Sequence, residues 1–352
     1  MISDIIRDDG AGRSPTTGRG ASLGGQARTW WRFAVTFLGT SFAVACGFLL
    51  IAFLVDPFDS GRSPLQLAEG VPEQINRFAN ASRARDPAFR AAIFGNSRIQ
   101  LIEPAVLTAG TGIPFVSLGI EGSYPREQLA TLDWFLAHHP DPAVIVVGID
   151  GVWCESDLAQ GVHPFPYWLY SPSTLTYLRG LFRATALEGL GRYGAYVLGG
   201  RPRARPDGFW NYETLYLKVG MDSEEKQRAL LRHEFAADVN LTGRFPAADE
   251  LATRLQRLPR ETKVVLLRPP VFYTGLPMPG SPEAAAEAAC LDRFTALVRS
   301  RPNTFLLDWR VDRPEVREQS AFFDHTHYRK PVARRVEEDL IAMLRRSTAK
   351  AP

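Results

Sequence analysis

Cysteine and histidine are scarce in this chain, and neither residue type is spaced as a metal-binding motif. The 352 residues include three cysteines and six histidines, with no Cys-x-x-Cys pair. The histidines are also not spaced as a zinc site on one helix. The sequence therefore predicts no metal site, and it contains no motif that requires a cofactor.

A block of basic residues is also missing from the globular part of the sequence. The formal net charge is +3, and no Lys/Arg run is interleaved with aromatic residues. This pattern argues against nucleic acid as a partner. The hydrophobic content of 45% is instead typical of a globular chain that buries a sizeable core.

Only one long apolar segment is present, and it lies near the N-terminus. Residues 33–55 are 23 residues without a charge. At about 1.5 Å per residue they form roughly 35 Å of helix, enough to cross a bilayer core of about 30 Å. We therefore predict a transmembrane helix over 33–55. A cleaved signal peptide is the alternative, but the run is longer than a typical signal core and no small-x-small site follows it before Asp56.

The charges that flank this segment predict its orientation. Before it the arginines outnumber the acidic residues, whereas Asp56, Asp59 and a single Arg62 follow it. The positive-inside rule then places the N-terminus in the cytoplasm and the rest of the chain outside. Residues 1–32 are rich in Gly, Ser, Thr and Arg without an apolar period, so we predict a disordered cytoplasmic tail there.

Two of the three cysteines lie in the exported part of the predicted topology. Cys46 falls inside the apolar segment, which leaves Cys154 and Cys290 in an oxidising compartment. A disulfide between them is one expectation. Two separate buried thiols are the alternative, because sequence alone does not show proximity.

Five short apolar runs predict a mainly parallel sheet. They do not alternate with polar residues, which is typical of strands covered on both faces. The predicted strands are 91–94, 114–120, 143–149, 263–267 and 304–307. With intervening helices they predict an α/β fold, a three-layer α/β/α sandwich of the flavodoxin-like kind.

The predicted sandwich covers residues 89–346 and follows a stalk over 56–88. It carries a less regular insertion at about 152–260, which we expect to cover the active-site face. Aromatic clusters in the insertion, at 164–168 and 209–216, are interpreted as core. A sugar-binding platform is the alternative for them.

A serine follows the first predicted strand at the position where such sheets bind ligands. Ser97 lies just past residues 91–94, and ligands of open α/β sheets bind outside the carboxyl ends of the strands. The alternative for Ser97 alone is an ordinary capping serine. A second motif, Asp324-x-x-His327, favours catalysis, because His327 can take the hydroxyl proton while Asp324 orients the imidazole. His325 is the alternative base, but the spacing favours His327.

These motifs carry a resemblance to a known family. Gly95-Asn96-Ser97, the turn at Gly122 and Asp324-x-x-His327 resemble blocks I, II and V of the SGNH (GDSL-like) hydrolase superfamily. The resemblance implies that Ser97 is the nucleophile, that Gly122 donates to the oxyanion, and that Asp324 and His327 complete the catalytic set.

With its single N-terminal span, the chain resembles the membrane-anchored branch that is associated with acylation of cell-envelope polymers. The resemblance implies a single-pass protein of the bacterial inner membrane with a periplasmic catalytic domain. It further implies an esterase or O-acyltransferase that acts on an acylated carbohydrate or other small ester, and a membrane-bound partner protein that supplies acyl groups. A catalytically inactive scaffold or carbohydrate-binding component of an envelope polysaccharide assembly is the alternative.

Two positions depart from the pattern of the superfamily. Asn96 replaces the usual Asp before the serine, and Asp150 follows the third strand where an oxyanion-binding Asn is expected. An ionised Asp150 that faced an oxyanion would oppose catalysis by repulsion. Asp150 is therefore expected to be turned away or protonated, or the oxyanion site includes Asn96 or Arg98. A cap at the strand end is the alternative role for Asp150.

Overall fold

The structure is a computed structural model that describes residues 23–65, 67–72, 75–159, 161–235, 237 and 239–348. The chain divides into two compact units, Met1–Ile51 and Ala52–Pro352. Of the tail predicted over 1–32, residues 1–22 lie outside the described part. Residues from Leu23 onward belong to a helix.

The first described element is helix α1, Leu23–Val55. Its part from Ala27 to Val55 is long and apolar enough to cross a membrane. Its large apolar side chains, such as Trp31 and Phe42, are exposed, as a lipid-facing helix requires. The structure therefore contains one candidate N-terminal span, which begins several residues before position 33.

The second unit is built on a five-stranded parallel sheet. Its strands are β1 Ala91–Phe94, β2 Phe115–Ser117, β3 Val144–Gly148, β4 Lys263–Arg268 and β5 Thr304–Asp308. Their order is β2-β1-β3-β4-β5, and every pairing is parallel. The inner strands β1 and β3 are buried along their whole length, which explains why their sequences do not alternate. The five predicted strands and their parallel arrangement are confirmed, although β2 covers only Phe115–Ser117 of the predicted 114–120.

Helices connect these strands and cover the rest of the unit. They are α2 Asn76–Arg83, α3 Pro104–Thr111, α4 Pro125–His138, α5 Thr174–Leu181, α6 Ala184–Val197, α7 Glu213–Lys218, α8 Glu224–Leu230, α9 Pro246–Leu255, α10 Pro282–Ser300 and α11 Lys330–Thr348. Helix α3 contacts α11, whereas α9 contacts both α4 and α10. Helices α3, α4, α9 and α10 each begin at a proline, a residue whose fixed φ suits the first helical turn.

The described residues of the predicted stalk at 56–88 belong to the second unit, which begins at Ala52 and not near residue 89. Phe58 is buried and contacts the Trp168 ring. The difference has a physical reason. The polar residues of α2 suggest a solvated helix, but they are buried because they bind one another: Arg83 Nη1 donates to Asn76 Oδ1 (2.7 Å) and to Asn80 Oδ1 (2.9 Å).

The structure joins Cys154 and Cys290 in a disulfide, which decides between the two alternatives left by the sequence. The bond links the short turn Gly151–Cys154, just after β3, to helix α10. Cys46 lies in α1 as a free cysteine.

Candidate active site

A tight turn after β1 carries Ser97. The strand ends at Phe94, and a 3-10 turn spans Ser97–Ile99. Asn96 fixes the start of this turn, because its side-chain Oδ1 accepts a hydrogen bond from the backbone N–H of Arg98 (3.1 Å). The serine is thus held at the carboxyl edge of the sheet by local hydrogen bonding.

Three glycines surround Ile99, the last residue of this turn. Gly95 follows β1, Gly119 follows β2, and Gly148 ends β3. A Cβ atom at Gly95, Gly119 or Gly148 would lie 2.7, 2.8 or 2.6 Å from the Ile99 side chain. A side chain at any of the three positions would therefore require the Ile99 side chain to shift. The buried Ile99 therefore locks the serine turn against the ends of three neighbouring strands.

Ser97, His327 and Asp324 form a continuous chain of hydrogen bonds. Ser97 Oγ lies 2.8 Å from His327 Nε2, although the two residues are 230 positions apart. His327 Nδ1 lies 2.8 Å from Asp324 Oδ2. The other carboxylate oxygen, Asp324 Oδ1, accepts from the backbone N–H groups of Thr326 (2.8 Å) and His327 (2.9 Å). The geometry matches that of a nucleophile, its base and the group that orients the base.

Hydrogen bonds keep Asp324 ionised. Burial alone would raise the pKa of its carboxyl group, but the hydrogen bond and charge of His327 and two backbone N–H groups hold that pKa well below its usual range. An ionised Asp324 favours the tautomer of His327 that carries its proton on Nδ1. Nε2 is then the acceptor for the Ser97 hydroxyl proton.

Two tyrosines of the predicted insertion pack against the imidazole. The ring centroids of Tyr212 and Tyr216 lie 5.7 and 5.4 Å from that of His327. Tyr212 is fully buried and donates from its hydroxyl to the Tyr328 carbonyl (2.6 Å), which fits the prediction of core. Burial, with the nearby charges of Asp324 and Glu121, raises the pKa of the Tyr216 hydroxyl to about 12. The aromatic cluster at 209–216 is visible in the sequence, but no spacing in the sequence links it to His327.

His325 does not contact the serine. The residue is partly exposed, and its Nε2 lies 3.0 Å from the Arg232 carbonyl oxygen. Its own carbonyl accepts from the backbone N–H of Phe272 (2.8 Å). The structure therefore places His327, and not its neighbour, within hydrogen-bond distance of Ser97 Oγ.

The buried carboxylate of Asp150 binds both residues that flank Ser97. Its Oδ2 accepts a hydrogen bond from Asn96 Nδ2 and lies 3.1 Å from Arg98 Nη1. Asp150 also precedes the 3-10 turn Gly151–Cys154, but its side chain makes no capping hydrogen bond there. Asn96, Arg98 and Asp150 thus form a network that fixes the serine turn. A role of these three in binding an oxyanion or substrate stays a prediction.

The turn at Gly122 lies beside the serine turn. Ile120 N–H donates to the Gly95 carbonyl (2.9 Å), and Gly122 adopts a left-handed φ of 61° that suits glycine. Within the described ranges, the backbone N–H groups of Ser97 and Gly122 make no hydrogen bond. The role of Gly122 as a donor to an oxyanion stays a prediction.

A cleft of about 580 Å³ opens next to this set of residues. Arg98, Asp324 and Thr326 line it from the site, and Lys226 and Phe235 line it from the predicted insertion. This volume is in the range of ligand-binding pockets. The cleft reaches Asp324 and Arg98, whereas Ser97 and His327 are not among the residues that line it.

Among the described residues, no group of three or more His, Cys, Asp or Glu is arranged to hold a metal ion. Comparison of the sequence with protein-family models and with curated proteins finds no match. The function is therefore argued from the site, since a fold by itself does not determine an activity.

Proposed function

We propose that this chain is a serine esterase or O-acyltransferase. The observation that carries the proposal is the hydrogen-bonded chain from Ser97 Oγ through the His327 imidazole to Asp324, with 2.8 Å at each link. A hydroxyl, an imidazole and a carboxylate in this order make a nucleophile of an otherwise unreactive alcohol.

The same geometry gives the order of the chemical steps. Ser97 Oγ attacks the carbonyl carbon of an acyl ester while His327 Nε2 takes the hydroxyl proton. The backbone N–H groups of Ser97 and Gly122 stabilise the negative charge on the carbonyl oxygen. The imidazolium then gives its proton to the departing alcohol, which leaves the acyl group on Ser97. Water or a carbohydrate hydroxyl attacks this acyl-enzyme, assisted by the same imidazole, and restores the free serine.

The fold supports membership of the SGNH superfamily as part of this proposal. The strand order 2-1-3-4-5 is that of flavodoxin-like sheets, and the chain reverses its direction of growth between β1 and β3. Ser97 follows β1 and Asp150 follows β3, so both lie at that reversal. One helix group contains α3 and α11, and another contains α4, α9 and α10, as a three-layer α/β/α sandwich would have.

Helix α1 and the disulfide support a location of the protein at the bacterial inner membrane. Helix α1 would anchor the protein in the bacterial inner membrane, with the N-terminus in the cytoplasm and the Ser97 unit in the periplasm. The Cys154–Cys290 disulfide suits that oxidising compartment. The substrate would be an acyl ester of an envelope or exported polysaccharide, with a membrane-bound protein as the source of acyl groups.

A second candidate function is a catalytically inactive scaffold for polysaccharide assembly. The observation that favours it is Asp150, a buried carboxylate bound to both neighbours of Ser97. A negative charge at this place opposes formation of an oxyanion nearby. A protein of this kind would keep the fold and the binding cleft without turnover.

Labelling with a fluorophosphonate probe distinguishes the two candidates. We expect the wild-type chain to be labelled on Ser97, because the imidazole activates this hydroxyl, and we expect Ser97→Ala to remain unlabelled. His325→Ala is the matched control and should be labelled like the wild type, since His325 is partly exposed and bound to the Arg232 carbonyl. Absence of labelling and of acyl-ester cleavage in the wild type would favour the scaffold.

Substitution of Asp150 tests whether this carboxylate positions the turn or opposes the chemistry. Asp150→Ala removes the partner of Asn96 and Arg98, so we expect kcat to fall about 10- to 100-fold with little change in KM, because a small misplacement of the nucleophile is costly. Asp150→Asn keeps an oxygen that can accept from Asn96, so its kcat should lie between that of the wild type and that of Asp150→Ala. The measurement is steady-state cleavage of a chromogenic acetate ester. An increase of kcat in Asp150→Asn would contradict the positioning role.

A further inference from the structure

The surface of helices α5 and α6 is unusually apolar for an exposed part of the molecule. We define the hairpin surface as the exposed side chains of Leu175, Arg179, Phe182, Arg183, Leu187 and Leu198. Leu187 and Leu198 are 62% and 87% exposed. Large side chains of this type are rarely left in water as a cluster unless the surface meets another apolar phase.

The same segment is strongly basic. Residues 172–206 contain six arginines and a single acidic residue, Glu188. Arg192 pairs with Glu188, and Arg203 pairs with Glu69. Arg179, Arg183 and Arg201 are exposed and form no ion pair within the described ranges. The hairpin surface thus combines apolar side chains with uncompensated positive charge, as helices that lie on anionic membranes do.

Helix α5 is attached to the residue that follows the candidate span. The Tyr177 hydroxyl donates to Asp56 Oδ1 (2.9 Å), and Asp56 comes directly after Val55, the last residue of α1. The guanidinium of Arg62 lies over the Tyr177 ring, 4.4 Å from its centroid. These contacts fix α5 close to the point where the chain would leave the bilayer.

Helix α6 is attached to the same segment. A Cβ atom at Gly189 would lie 2.8 Å from Phe58 Cζ, so the helix packs directly on this ring. The Tyr196 hydroxyl donates to the Glu69 carbonyl (2.8 Å), and the Tyr193 hydroxyl lies 3.1 Å from the Ala68 nitrogen. Both helices are therefore bound to the residues that come first after α1.

We propose that the hairpin surface lies in the headgroup layer of the leaflet next to the end of α1 and binds anionic lipid. Connectivity supports lipid as the occupant, since Asp56 would lie at the membrane boundary and α5 binds it. The exposed leucines and phenylalanine would enter the layer of headgroups, while the arginines pair with lipid phosphates. The inference rests on the membrane anchor of the proposed function and is independent of the chemistry of Ser97.

Fluorescence quenching by lipid tests this placement in the full chain. In a Cys46→Ser background, Leu187→Cys carries an environment-sensitive fluorophore, and the protein is placed in nanodiscs of phosphatidylcholine and phosphatidylglycerol. Met278→Cys is the control, because Met278 is 57% exposed but lies in the loop before α10. We expect headgroup-labelled doxyl lipid to lower the emission at position 187 at least twofold and to leave that at position 278 unchanged.

The arginines provide a second variant for the same measurement. Arg179→Glu with Arg183→Glu should remove most of the quenching at position 187, and both side chains are exposed, so the fold should be kept. Absence of quenching at position 187, or equal quenching at 187 and 278, would overturn the proposal. A label that is shielded in native membranes but not in nanodiscs would also overturn it and indicate a membrane protein as the occupant. Ser97→Ala should give the same quenching as the wild type, which separates this test from that of the esterase.

Discussion

Replacing His327 by alanine is expected to lower kcat for acyl-ester cleavage by about 10⁴-fold or more. The imidazole is the only side chain that hydrogen-bonds Ser97 Oγ in the described part of the chain, and loss of the base in such a set removes most of the catalysis that the set provides. KM should change little, because His327 acts on a proton and not on the bound acyl group. The measurement is steady-state cleavage of a chromogenic acetate ester by the purified full chain.

The neighbouring histidine provides the matched control for this experiment. His325→Ala removes the same side chain two positions earlier, where it is partly exposed and binds the Arg232 carbonyl through Nε2. His325 lines the cleft, but its imidazole binds the Arg232 carbonyl and not Ser97 Oγ, so the loss of kcat in His325→Ala should be far smaller than that in His327→Ala. Equal losses in the two variants would show that the loop as a whole was disturbed and that His327 is not the specific base.

Removing the Cys154–Cys290 bond is expected to have the largest effect on stability. The bond joins residues that are 136 positions apart, and its loss should lower the free energy of unfolding by about 2–5 kcal/mol, because the unfolded chain regains the freedom that the cross-link removed. The variant is Cys154→Ser with Cys290→Ser. Urea unfolding followed by tryptophan fluorescence measures the change, with buried Trp153 adjacent to the bond as one reporter.

Reduction of the wild-type protein gives an independent measurement of the same bond. Its urea midpoint should fall with dithiothreitol toward that of the double variant, which itself should not respond to the reagent. Cys46→Ser is the control, because Cys46 makes no disulfide and this variant should behave like the wild type. An unchanged midpoint under reducing conditions would contradict a stabilising role for the bond.

The sheet was predictable because each strand can be recognised from its own short stretch of sequence. A buried strand needs only a short apolar run, and the run at 91–94 coincides with β1 while the run at 263–267 gives all but the last residue of β4. The place of the serine was predictable for a related reason. The carboxyl ends of parallel strands share one edge, so sequence order alone brings Ser97 and the loop of His327 toward each other.

The remaining features depend on partners that are distant in the sequence. The polar residues of α2 suggest a solvated stalk, but their burial also depends on partners outside the helix: Asn76 Nδ2 donates to Glu121 Oε1 (2.7 Å), and Asn80 Nδ2 donates to the Gly119 carbonyl (3.3 Å). The charge of Asp150 suggested repulsion of an oxyanion. In the structure this carboxylate contacts Asn96 and Arg98 instead, and the sequence does not show the direction of a side chain at the sheet edge. No spacing rule connects Tyr216 to His327 either, because Tyr216 lies on helix α7, far from His327 in the sequence.

The packing behind Ser97 limits how this sequence can vary. Gly95, Gly119 and Gly148 each leave space that Ile99 fills. A single added methyl group at any of the three overlaps with the isoleucine, and a shorter side chain at position 99 leaves a void. Tolerated variation is thus expected as paired exchanges, a larger residue on one side with a smaller one on the other. Four positions that meet at the ends of three strands would then be inherited together.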